Sequence, residues 1–206
     1  MKVLHFYKDA LPESYGGVEK TIDVLCRTTA QQGVDNTVLT LSKTPSPEPI
    51  IMKGYKVYQV KQNFSLASTG FSMQALKVFR QLAKQTDIIH YHFPNPFADL
   101  LHLSNKIKAR TVVYYHSDIV KQKHLLKLYR PVQNQFLKSV DHIVATSPNY
   151  LKTSQILQQF SSKVTVIPLG IAREDYPELS TERLAYWSNR FQEPFFLFVG
   201  VLRYYK

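Results

Sequence analysis

The chain has 206 residues, 44% hydrophobic and 20% charged, with 26 Lys and Arg, 15 Asp and Glu and a single Cys. That length and apolar share support a buried core and exclude a disordered chain, while one Cys excludes a disulfide-framed module and points to a reducing compartment. No apolar run approaches the roughly 18 residues of a membrane-spanning helix, and the opening Met-Lys-Val-Leu-His-Phe-Tyr lacks a signal peptide's apolar stretch and cleavage site.

Short β-rich apolar runs alternate with longer helical patterns. Residues 3–7 read as a first strand and 12–17 as a loop. Residues 18–32 form a helical pattern with Val18, Ile22, Leu25, Cys26 and Thr29 on one face, ended by Gly33. A second strand is predicted over 37–41, and Pro45, Pro47 and Pro49 stiffen the connection after it. Residues 55–60 alternate like an edge or half-buried strand. Residues 73–84 form a helix with Leu76, Phe79, Leu82 and Ala83 inward. Residues 87–91 are a short buried strand, and Asn95 and Pro96 open a helix over 97–107. A strand over 110–115 precedes a helix over 125–139, which Pro131 kinks or splits. Strand 141–146, helix 148–159 and strand 163–167 complete the series. This alternation predicts an α/β fold, a Rossmann-like doubly wound and mostly parallel sheet.

The pattern then changes. Residues 178–191 are polar and helical, and 195–199 (Phe-Phe-Leu-Phe-Val) read as a buried strand followed by Gly200. Two units are therefore expected: 1–173 as one Rossmann-like domain, and 174–206 as a connecting helix with the first strand of a second, incomplete domain.

The charge is uneven. Residues 1–173 carry 22 basic and 10 acidic side chains, and 174–206 carry 4 and 5. Two stretches, 49–86 and 119–140, contain no acid at all. The second carries Lys121, Lys123, Lys127, Arg130 and Lys138 among Leu125, Leu126, Leu128, Tyr129, Phe136 and Leu137. Such a segment suits an anionic partner, a membrane surface or a phosphorylated lipid before a nucleic acid. Lysines also solubilise outward helix faces, and both readings stand. Base stacking on the 13% aromatic residues is the route by which a nucleic-acid module would work, but no such motif is present.

In doubly wound sheets ligands bind beyond the carboxyl ends of the strands. Gly16-Gly17-Val18-Glu19 opens the first helix, where a backbone free of side chains and a helix N-terminus favour phosphate, although Gly-Gly is also an ordinary turn. Neither the dinucleotide G-x-G-x-x-G nor the P-loop spacing is present, which counts against a nucleotide-dependent oxidoreductase or epimerase. His90 and His92 flank Tyr91 and share one strand face. They could begin a metal site, but no third ligand stands near in the sequence. Pocket-lining candidates are Glu19, His92, Asn95, Ser117, Asp118 and Ser147, the last also a helix N-cap. His116 follows a strand end, where an imidazole reaches a substrate hydroxyl or bonds within its own loop. No D-x-D occurs, so a carboxylate-held divalent metal is not expected.

Taken in order, Met-Lys-Val-Leu-His-Phe-Tyr-Lys, Gly-Gly-Val-Glu and Asp-Ile-Ile-His-Tyr-His-Phe-Pro-Asn-Pro resemble the start of the retaining family-4 glycosyltransferases of GT-B fold. Tyr-Tyr-His-Ser-Asp-Ile-Val, Ala-Thr-Ser-Pro-Asn-Tyr and Val-Ile-Pro-Leu-Gly-Ile continue the resemblance over the whole chain. It implies an N-terminal, acceptor-side domain of an enzyme moving a sugar from a nucleotide-sugar donor to a glycan or lipid-linked acceptor in cell-surface polysaccharide or glycolipid synthesis. It further implies that Gly16 and Gly17 lie near the donor diphosphate, that His116 lies beside the reacting sugar, and that Arg203 and Lys206 neutralise the leaving diphosphate. The commoner pattern places Arg where this chain has Val201. No resident cofactor and no metal are expected, the nucleotide sugar being a substrate. Lys121, Lys123, Lys127 and Arg130 are the expected docking cations at the inner face of a cytoplasmic membrane, and the 206 residues alone are expected to be inactive.

Overall fold

A computed structural model describes residues 1–119, 123–176 and 178–199. It divides into two units, residues 1–171 and 172–206.

The first unit is built on an eight-stranded sheet. Its strands are β1 (Lys2–Phe6), β2 (Asp35–Ser42), β3 (Ile50–Met52), β4 (Tyr55–Lys61), β7 (Ile88–Phe93), β8 (Arg110–Tyr115), β9 (His142–Ala145) and β10 (Val164–Val166). A separate hairpin comprises β5 (Phe64–Leu66) and β6 (Thr69–Phe71). The strand order is β10-β9-β8-β7-β1-β2-β4-β3, parallel throughout except for β3. The chain works outward from β1 to β4, then restarts on the other side of β1 at β7. The β1–β7 pair is thus the point where the strand order reverses.

Side-chain alternation sorts the sheet into two faces. On one, Leu4 and Phe6 of β1 join Leu39, Ile89, Tyr91, Phe93, Val113 and Tyr115 in an apolar core. Helices α2 (Met73–Ala83), α3 (Pro96–Leu103) and α4 (Lys123–Ser139) cover it through Phe79, Leu101 and Phe136. Burying each such side chain contributes about 1.5–3 kcal/mol. Buried polar links tie the layer together. Tyr129 of α4 donates to the buried Asp99 of α3. His102 meets the Tyr91 hydroxyl at 3.1 Å and Ser139 Oγ at 2.9 Å.

The other face is smaller and more polar. Helix α1 (Gly17–Ala30) covers Val38, Tyr55 and Val57 with Ile22 and Cys26. Its inward stripe differs from the expected one. Asp23 and Arg27 are buried, whereas Leu25 is only half-buried. The Tyr55 hydroxyl donates to Asp23 Oδ1 at 3.0 Å and Arg27 Nε to Asp23 Oδ2 at 3.1 Å, and this buried ion pair turns the helix. Gly54 joins β3 to β4 at φ +89°, and a Cβ there would lie 2.9 Å from Ala30 Cβ. The turn therefore needs glycine both for its conformation and for the approach of α1.

Several expected elements change. The helix expected over 148–159 is two helices, α5 (Pro148–Thr153) and α6 (Gln155–Gln159). Ser154 between them is extended, and its hydroxyl accepts from Leu157 N and donates to Asp118 Oδ1. Helix α4 runs as one element through Pro131, so the proline does not split it. Strand β4 is the half-buried alternative and not an edge, because β3 pairs outside it.

In the second unit, Ser180 caps α7 (Thr181–Arg190) by accepting from Arg183 N. Trp187, Phe191 and Phe195 stack in succession. The strand expected over 195–199 is absent among the described residues, and Phe196 to Val199 are exposed. A strand needs a hydrogen-bonded neighbour, and none is described in this unit.

Tyr55→Phe removes the one hydroxyl donated to the buried Asp23 carboxylate. It should cost about 1.5–3 kcal/mol, measured as a lower urea midpoint at unchanged slope. A loss below about 0.5 kcal/mol would mean that the ion pair does not need this donor.

Candidate functional site

The carboxyl ends of three adjacent strands carry the candidate residues. After β1 comes the loop to Gly16 and Gly17, after β7 comes Asn95, and after β8 comes His116. This is where doubly wound sheets hold ligands.

Gly16 is the N-cap of α1 and Gly17 its first residue. Glu19, in the first turn, accepts from Ser14 Oγ at 2.9 Å, and its carboxylate folds over Gly16. A Cβ at position 16 would lie 2.6 Å from Glu19 Oε2, so any larger residue there would displace the carboxylate. Glu19 therefore serves its own loop and complements the helix dipole. Nothing crowds Gly17 within 4 Å.

Asn95 is 1% exposed, and neither its amide nitrogen nor its amide oxygen has a hydrogen-bond partner. Leaving such atoms unsatisfied costs about 1–3 kcal/mol each. A buried, unpaired amide at the end of β7 is suited to a ligand hydroxyl.

His116 extends β8, its amide donating to Phe93 O at 3.0 Å. Its half-buried ring lies against Tyr114, whose hydroxyl donates to Ile167 O at 2.9 Å. Behind it, three more imidazoles share the face. His90 stacks on His92 with centroids 4.7 Å apart, and His5 lies 5.0 Å from His90. His92 meets His116 at 3.1 Å and His5 at 3.2 Å. His92 does not line an open pocket as expected. It is wholly buried, and both ring nitrogens are engaged.

The third potential ligand missing from the sequence is His5, brought beside His90 by the β1–β7 register. Ligand nitrogens of His5, His90 and His92 lie within 4.8 Å of one another, the donor type of a zinc site. His5 and Asn36 were not singled out in the sequence; only strand register unites them with His90 and His92.

The remaining expected residues part company. Asp118 accepts from the Tyr115 hydroxyl at 2.8 Å and from Ser154 Oγ at 3.1 Å, so it clamps the loop after His116. Ser147 caps α5, accepting from Tyr150 N. Ser117 is exposed. Lys127 and Arg130 are exposed on α4 beside Leu125 and Leu128, the latter 79% exposed. An apolar pocket of about 250 Å³ adjoins them, lined by Leu66, Phe71, Leu100 and Val132 among others. Lys123 begins α4. Lys121, Arg203 and Lys206 lie outside the described residues. A larger concavity, about 780 Å³, is elsewhere: it opens at the amino ends of β7 and β8 among Arg80, Lys84, Lys106, Lys108 and Arg110.

Burial holds the imidazoles neutral. It pushes His5 and His116 down to about 4. His90 and His92 also fall well below the ordinary value, burial first and the neighbouring imidazoles second.

Residues 15–175 match the sequence model of Glycosyltransferase Family 4. Over all 206 residues the chain is 49% identical to D-rhamnosyltransferase WbpZ of Pseudomonas aeruginosa, covering 54% of it. It is likewise 49% identical to O-antigen chain mannosyltransferase C of Escherichia coli, covering 55%. The chain thus spans about half the length of these curated relatives. Sucrose-phosphate synthase of Thermosynechococcus elongatus is similar in fold, with TM-score 0.64 at 15% identity over 94% of this chain and 53% of that one. HepE of Anabaena in complex with UDP-glucose gives 0.63 at 15%, over 92% and 49%.

Unfolded histidines titrate near 6.5, whereas folded His5 and His116 stay neutral to about 4. Between those values the unfolded chain binds more protons, so stability is full above about pH 6.5 and falls as pH drops toward 4. His5 alone accounts for roughly 3 kcal/mol. Urea midpoints across this range should decline with acid, and a midpoint rising between pH 6.5 and 4.5 would contradict the neutral cluster.

Proposed function

The chain belongs to glycosyltransferase family 4, and we propose that it forms the acceptor-side half of a retaining enzyme that builds a cell-surface polysaccharide. The observation that carries this reading is the set of groups beyond β1, β7 and β8 at the reversal of strand order. Gly17 leaves a helix N-terminus open, Asn95 offers an unpaired amide, and His116 offers a neutral imidazole. The donor is a nucleotide sugar, a class in line with the UDP-glucose named for HepE. The sugar moved is mannose or D-rhamnose, the sugars named for the two relatives. These differ only in the oxygen at C6, so one pocket shape admits both.

Charge builds on the leaving diphosphate as the glycosidic bond breaks, and stabilising it is the main electrostatic task. Arg203 and Lys206 would meet that charge without a divalent metal. His116 and Asn95 would hold sugar hydroxyls. The chain by itself would transfer no sugar.

A chimera tests this: residues 1–206 replace the matching segment of the D-rhamnosyltransferase, and a panel of nucleotide sugars is offered with a lipid-linked glycan. Mass spectrometry should find one hexose or deoxyhexose added, and NMR of the product should find the donor's anomeric configuration kept. His116→Ala should lower transfer about 100-fold or more. A folded chimera without product from any donor, or robust transfer by the 206 residues alone, would sink the reading.

The exposed Leu125, Lys127, Leu128 and Arg130 beside the apolar pocket support docking on an anionic membrane, where each cation contributes about 1 kcal/mol. No helix among the described residues is long and apolar enough to cross one. Lys127→Gln with Arg130→Gln should weaken sedimentation with phosphatidylglycerol vesicles about tenfold or more. Unchanged binding would reject the docking face.

A further inference from the structure

On the face of the sheet that α1 covers, the imidazoles form a row in which only His116 is reached by the chemistry above. His116 Nε2 lies 3.1 Å from His92 Nδ1. His92 Nε2 lies 3.2 Å from His5 Nδ1. His5 Nε2 lies 3.3 Å from Asn36 Oδ1. Each nitrogen–nitrogen link could run in either direction, because a neutral imidazole has one donor and one acceptor nitrogen.

The direction is fixed at Asn36. Its Nδ2 lies 3.0 Å from Cys26 O, 2.9 Å from Thr29 Oγ1 and 3.3 Å from Val34 O. Two of these are carbonyl oxygens, which only accept, so this amide atom must be the nitrogen. The Thr29 hydroxyl already donates to Leu25 O at 2.7 Å and is free to accept. Asn36 Oδ1 is therefore an acceptor only, and His5 Nε2 must carry the proton.

The rest follows ring by ring. His5 is neutral, so its Nδ1 is a lone pair and His92 Nε2 must donate to it. His92 is neutral, so its Nδ1 is a lone pair and His116 Nε2 must donate in turn. The lone pair of His116 is left on Nδ1.

We propose that Asn36, acting through His5 and His92, sets the tautomer of His116, so that this ring meets a ligand hydroxyl as an acceptor through Nδ1 and not as a donor. Asn36, His5 and His92 are positioning residues. The tautomer of one imidazole is set by the bond its other nitrogen makes, and here that rule passes through two rings. His90 stands outside the chain, with Nε2 buried and unpartnered. A zinc ion held through His5 Nδ1 and His92 Nε2 would need a lone pair on each, and the bond between them leaves only one.

The role toward a sugar rests on the glycosyltransferase reading, but the tautomers do not, and they are read without any transfer assay. The test is long-range proton–nitrogen correlation on the ¹⁵N-histidine-labelled 206-residue chain near neutral pH. His5, His92 and His116 should all carry the proton on Nε2. A proton on Nδ1 of any of the three overturns the proposal, whatever the variants do. Asn36→Leu and His92→Phe should each turn His116 into a mixture of tautomers, while His102, outside the row, stays unchanged. His92→Phe should leave His5 protonated on Nε2, because its bond to Asn36 survives. A His116 that keeps a pure Nε2 proton in both folded variants overturns the relay. So does stoichiometric zinc binding that shifts the His5 and His92 signals together. Normal transfer by a chimera carrying either variant, with mixed His116 tautomers, would overturn the acceptor role of Nδ1 and leave the enzyme reading intact.

Discussion

The candidate site depends on the alternation of side chains along β1. Leu4 and Phe6 enter the large apolar core, and His5 between them faces the other way. A slip of one residue would drive an imidazole into that core and expose Phe6. The apolar face therefore fixes the register, and the polar face inherits it. The pairing of His5 with Val38 on one side and His90 on the other is a by-product of burying leucines and phenylalanines.

Charge is distributed by the same division. The unit is strongly basic, yet Asn95 and His116 at the strand ends that would hold a ligand are neutral. Cationic side chains lie on the outer helix α4 and around the concavity at the amino ends of β7 and β8. The largest wholly buried side chains are aromatic, among them Tyr91, Tyr115 and Phe93. These rings are structural and are not offered to stack on bases.

Much of this was legible in the sequence where one local signal decides. The strand over 110–115 and the helix read over 73–84 follow from an apolar run and from helical spacing of apolar residues. His116 was legible because a strand pattern stops just before it. Other features were not, because each is decided by a distant partner. Ser154 breaks a continuous helical pattern only because Asp118 receives its hydroxyl. The inward turn of Asp23 and Arg27 depends on Tyr55, and a charged pair on a helix reads from sequence as solvent-facing. The short β3 and the β5–β6 hairpin carry no pattern longer than three residues. Asn36 looks like an ordinary polar strand residue until the pairing of β1 and β2 sets it against His5.

The two faces also differ in how much holds them. Among the described residues, twenty-one buried ones form the core on the α2–α4 side, and seven form the core beneath α1. Regions with few buried apolar contacts open at lower free energy than the rest of a domain. Amide hydrogens of α1 would thus exchange with solvent through openings that leave the β7–β8 core closed. The helix whose first turn holds Gly16, Gly17 and Glu19 is the element that can yield while the scaffold stays rigid. An arriving ligand would then do part of its work by quieting one helix, and slower exchange in α1 would register its arrival.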